Sequence, residues 1–108
     1  MGKYTSAIIG DLDIFIAQEE DEVDGEKTKY QQILIHGDPE GLRSLATLLI
    51  QLADTNQTEI ITLPKGARKH VHLRPNYDLS KSSEEVIIGR LDAKGTGAFY
   101  ERYEPKKI

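Results

Sequence analysis

The stretch Gly37-Asp-Pro-Glu-Gly-Leu42 constrains this chain more than any other, because Asp38, Pro39 and Glu40 in succession mark the start of a helix. The Asp38 carboxylate can accept a first-turn backbone N–H. Pro39 then falls at the first helical position, where its missing donor is harmless. Glu40 complements the positive end of the helix dipole. Leu42, Leu45, Ala46, Leu49, Leu52 and Ala53 follow at helical spacing, with Leu48 and Ile50 widening the apolar stripe. The spacing predicts a helix over 38–54. Burying five or six of these aliphatic side chains would contribute on the order of 10 kcal/mol before conformational entropy is subtracted, so the helix needs a sheet to cover.

Four segments supply strands. Over 10–18, Leu12, Ile14 and Ile16 alternate with Asp13, Phe15 and Ala17, as in a strand with one buried face. The segment 29–36 is a second strand, and Asp24-Gly25 is a turn signal between the two. The run 19–26 holds six carboxylates in eight residues, which repel one another and require water. It is expected to form a solvated loop at the tip of an antiparallel hairpin. After the helix, Leu63-Pro-Lys-Gly66 is a turn and 69–73 a short strand, with Val71 and Leu73 on one face and His70 and His72 on the other. The β-branched run 83–92 is the fourth strand. The expected fold is therefore α+β, a four-stranded antiparallel sheet in ββαββ order with one main helix on one face. The second face would carry Phe15, Leu34, His70, His72 and Ile87, to be covered in part by the N-terminal segment, the tail, a second copy or a partner. One domain is expected over 1–108, with its core over 10–93 and a mixed-charge tail over 94–108.

Composition narrows the function classes. The chain has 108 residues, 14 Lys+Arg against 18 Asp+Glu, and no cysteine. Thiol nucleophiles, thiolate zinc sites and disulfide scaffolds are excluded. No apolar run approaches the roughly 20 residues of a membrane span, and the start does not have the form of a secretory signal, so a cytoplasmic location is expected. The acidic run accounts for the whole negative balance, since the rest of the chain carries 14 basic and 12 acidic residues. Such a run can steer a basic partner through long-range attraction, although charge runs often serve only to keep a hairpin tip solvated. Glu19, Glu20, Asp21, Glu22 and Asp24 are the candidate steering group, with Phe15 as an apolar contact.

Other constellations are weaker. His70 and His72, at i and i+2 on a strand, point the same way and with His36 would form a minimal metal-binding set. Their blander role is as polar side chains on an exposed strand face. Lys65, Arg68, Lys69 and Arg74 surround them and suit an anion contact, or simply a solvated surface. Net negative charge and a single nearby aromatic, Tyr77, argue against nucleic acid. No nucleophile–base pair and no phosphate-binding glycine loop is present.

The run from Gly37 to Ala53, followed by His70-Val-His-Leu-Arg-Pro75 and Ser82-Ser-Glu-Glu-Val-Ile-Ile-Gly89, resembles the immunity protein 32 family of bacterial polymorphic-toxin systems. The resemblance spans 10–93. It implies a small cytoplasmic protein, without catalytic residues or cofactor, that binds a cognate toxin. Two alternatives stand beside it: a metal-binding protein or metal-dependent enzyme using His36, His70 and His72, and a housekeeping module that homodimerises through its sheet.

Overall fold

A computed structural model describes residues 5–107. Met1–Tyr4 and Ile108, on which the expectations for the chain start and the tail partly fall, lie outside the described residues. Strand β1 (Leu12–Val23) and strand β2 (Glu26–Gly37) form a long antiparallel hairpin. Helix α1 (Pro39–Asp54) follows, then a single 3-10 turn over Gln57–Glu59, strand β3 (His70–Leu73) and strand β4 (Val86–Gly89).

The helix begins where its sequence requires. Asp38 Oδ1 accepts the Gly41 N–H at 2.7 Å and the Asp11 N–H at 3.1 Å. The two backbone N–H groups, Gly41 first, hold the Asp38 carboxyl below its ordinary range. A carboxyl whose folded pKa is depressed stabilises the fold above its unfolded pKa, near 3.8, and that support vanishes as pH falls through the folded value. Asp38→Asn, which keeps the cap but not the charge, should flatten part of the loss of stability seen in urea titrations below pH 4. A variant with an unaltered acid limb would show that this carboxylate contributes nothing to it.

The buried stripe of α1 runs through Gly41, Leu45, Leu48 and Leu52. It is rotated from the expected stripe, because Leu42, Leu49 and Ile50 remain largely exposed while Leu48 turns inward. Leu45 and Leu48 share one core with Ile8, Leu12, Ile14, Leu73 and Leu79. Val71, Val86 and Ile88 pack at the margin of this core.

The four-stranded layer is not formed. β1 pairs only with β2, and β3 only with β4, giving two separate two-stranded sheets. The reason lies between Ser80 and Glu84. Ser80 N–H donates to Leu12 O at 2.8 Å and Glu84 N–H to Ile14 O at 2.7 Å, so this segment occupies the outer edge of β1. Between them the buried Ser83 hydroxyl lies 3.1 Å from both Ile14 N and Ile14 O, replacing a backbone partner with a side chain. Regular strand geometry begins only at Val86, and there the partner is β3. Phe15 and Leu34 therefore share a face of one sheet, and His70 and His72 a face of the other.

The acidic run is likewise not a loop. Glu19 to Val23 belong to β1 and Glu26 to β2, leaving a two-residue turn. Asp24 (φ 52°) and Gly25 (φ 82°) both take positive φ, the signature of the tight hairpin turn that matches strand twist. The charges are tolerated because both faces of the distal hairpin are solvated, and because Glu20 and Glu22 stand opposite Lys29 and Lys27. The result is a projecting arm. The radius of gyration is 17.5 Å and the extents are 56 × 35 × 22 Å, whereas a compact chain of about 100 residues has a radius near 13 Å.

Candidate functional site

A strand places alternate side chains on opposite faces, so the hairpin register divides the acidic run into two sets. One face carries Leu12, Ile14 and Ile16 from β1, opposite Gly37, Ile35 and Ile33. Further out it carries Glu20 and Glu22 opposite Lys29 and Lys27, with Lys27 Nζ 3.9 Å from Glu20 Oε1. Acidic and basic groups balance on this face.

The other face is different. It carries Phe15, Glu19 and Asp21 opposite Leu34, Tyr30 and Thr28, and then Val23 opposite Glu26. No lysine or arginine of the hairpin joins Glu19, Asp21 and Glu26 there. At its base Phe15 and Leu34 are half-buried, and the Phe15 ring meets His36 edge-on at 5.2 Å between centroids. Apolar groups near the core thus give way to uncompensated carboxylates toward the tip. Tyr30 reports this field, since the Asp21 charge first, and Glu19 with it, pushes its phenol above the usual tyrosine value. An ultraviolet pH titration of Asp21→Asn should show Tyr30 ionising at lower pH than in the parent. An unchanged titration would mean that Asp21 does not act on this ring.

Sequence reasoning named Phe15 and the five acidic residues, and set Leu34 on the same face as Phe15, but missed Tyr30 as a companion of Glu19 and Asp21. The signal was available, because a two-residue turn at Asp24-Gly25 fixes every cross-strand pair.

The remaining candidates are dispersed. His70 and His72 lie 5.1 Å apart between ring centroids on β3, whereas His36 packs on Phe15 in the hairpin. Among the described residues no group of three His, Asp or Glu side chains is placed to hold a metal ion. Of the four basic residues, Arg68 stacks on Tyr100 at 3.8 Å and Arg74 on Tyr77 at 4.7 Å. Lys69 donates its backbone N–H to the buried Gln57 side chain at 2.7 Å. Lys65 runs beside Gly95. Arg68 and His70 line one common cavity. No helix among the described residues is long and apolar enough to cross a membrane.

Comparison with known proteins returns one family. The family model described as immunity protein 32 matches residues 32–91, more than half of the chain. The match is narrower than the resemblance over 10–93, beginning within β2 and ending just after β4. No curated protein and no solved structure matches the chain. The helix, its cap and the β3–β4 pair all fall inside the matched span, and the chain belongs to the immunity protein 32 family.

Proposed function

We propose that this protein binds a cognate bacterial toxin domain and neutralises it by occlusion, without catalysis, in the cytoplasm of the producing cell. The observation that carries the reading is the hairpin face bearing Glu19 and Asp21 with no opposing cation, continuous with Phe15 and Leu34 at its base. Family membership supplies the class of partner. The carboxylates accelerate encounter with a basic surface, and the apolar base provides a centre from which water can be expelled. A stable interface removes about 800 Å² from each partner, roughly a tenth of the 8740 Å² surface here.

The test begins with affinity capture of the toxin from native cells, using the intact chain as bait, followed by stopped-flow association. Glu19→Gln/Asp21→Asn should slow association at low salt by about tenfold, within the range electrostatic steering supplies, and much less at high salt. Glu20→Gln/Glu22→Gln should slow it less, because Lys29 and Lys27 already offset those charges. Phe15→Ala should act mainly on dissociation. Equal low-salt association rates for the parent and both acidic variants would refute steering by this face.

A further inference from the structure

We propose that the cavity between the outer face of β4 and the C-terminal segment is a binding site for a small organic phosphate with a flat ring, the chemistry of a mononucleotide. The cavity measures about 530 Å³, within the roughly 300–1,000 Å³ typical of small-molecule sites. It uses neither the acidic hairpin face nor Phe15, and it stands whether or not that face binds a toxin.

Arg68 is its central cation. Its Nε donates to Leu91 O at 2.6 Å and its Nη2 to Ala98 O at 2.7 Å, while the guanidinium carbon sits over the Tyr100 ring at 3.8 Å. These contacts fix the guanidinium before any ligand arrives, so little further ordering is needed on binding. No carboxylate of the described residues lies within ion-pair distance of Arg68, although the charge of Asp92, itself held by Arg90, acts on it from further away, and Nη1 has no acceptor among them. Three of its five N–H donors, two on Nη1 and one on Nη2, are thus left for an anion. Arg102 reaches the same cavity and also lacks an ion-pair partner among the described residues. Arg90 is present but occupied. It grips Asp92 through Nε and Nη2, and Nη1 reaches the carbonyls of Leu52 and Thr55 at the end of α1. The cationic character available to a ligand therefore comes from Arg68 and Arg102.

The floor has a second chemistry. Ile87 is 60% exposed and Leu91 38%, with Gly89 between them adding no side chain. A flat ring would cover this apolar strip while its phosphate meets the two guanidiniums, which suit bidentate pairing with phosphate oxygens. A bare inorganic anion would leave the strip wet, and an uncharged nucleoside would leave the arginines unpaired. The preference for both features in one molecule distinguishes this site from a generally basic surface.

Isothermal titration calorimetry on the full chain tests this with adenosine 5′-monophosphate, adenosine and inorganic phosphate as probes. The monophosphate should bind saturably, and each of the other two about tenfold or more weakly. Arg102→Gln should weaken binding of the monophosphate about fivefold or more. Ile87→Glu, at an exposed strand position, should abolish it by setting a carboxylate against the guanidiniums. Both positions are solvated, so folding should persist, as circular dichroism would verify. No saturable binding of the monophosphate, equal binding of inorganic phosphate, or binding indifferent to both substitutions would overturn the assignment.

Discussion

Replacing Gly41 by alanine will destabilise the protein by about 2 kcal/mol, although alanine is the better helix former. The position lies in the first turn of α1, where propensity alone predicts a gain approaching 1 kcal/mol. Packing reverses the sign. A Cβ on Gly41 would stand 2.1 Å from Asp11 O and 2.7 Å from Asp11 C. Those are backbone atoms, and they cannot turn aside as a side chain can. They are also held in place, since Asp11 O accepts the Asp38 N–H at 3.1 Å and Asp11 N–H donates back to Asp38 Oδ1. Making room for a methyl group means separating the helix start from the base of β1, which strains both cap bonds. Overpacking of this kind costs about 1–3 kcal/mol before any lost hydrogen bond is included, enough to exceed the propensity gain. Urea denaturation of Gly41→Ala beside the parent will show a lower midpoint at similar slope. Equal or greater stability would mean that the junction relaxes freely and that Gly41 merely starts the helix.

Gly41 also marks the limit of what the sequence disclosed. The cap at Asp38, the helix over 38–54 and the turn at Asp24-Gly25 were legible because each depends on residues a few positions apart. The close approach of Asp11 to Gly41 depends on how the hairpin base docks, which no local pattern records. The same distinction explains the sheet. Alternation and β-branched content located four strands, yet pairing is a long-range matter, and nothing local in the run 83–92 reveals that the Ser83 hydroxyl meets the Ile14 backbone. Gln57 is similar. It is buried because its amide bridges Asp92 O and the Lys69 N–H, partners far along the chain. At the candidate site the acidic residues were recognised individually, but their arrangement was not. Reading the run as a loop hid the alternation that places Glu19 and Asp21 beside Tyr30, and Glu20 and Glu22 beside lysines.

Leu12→Ala will be the most damaging apolar truncation in the hairpin, at about 3 kcal/mol, whereas Ile33→Ala on the same face will change stability by less than about 0.5 kcal/mol. Leu12 is 1% exposed and lies between the helix and the segment after β3, where it belongs to the core with Leu45, Leu73 and Leu79. Its methyl group is in close approach to Gly37, so its removal opens a cavity that neighbouring backbone cannot readily fill. Ile33 stands opposite Ile16, further along the same hairpin face, yet it is 71% exposed. One face therefore changes from core to solvent within two cross-strand pairs, and the pair of truncations measures where that change occurs. The contrast bears directly on function. If the outer arm contributes nothing to folding, its composition is free to be set by a partner, and residues such as Glu19, Asp21 and Tyr30 can be altered without loss of the fold. A large cost for Ile33→Ala in chemical denaturation would show instead that the arm is packed on its Ile33 face in the free protein, and its composition would then be constrained by folding as well.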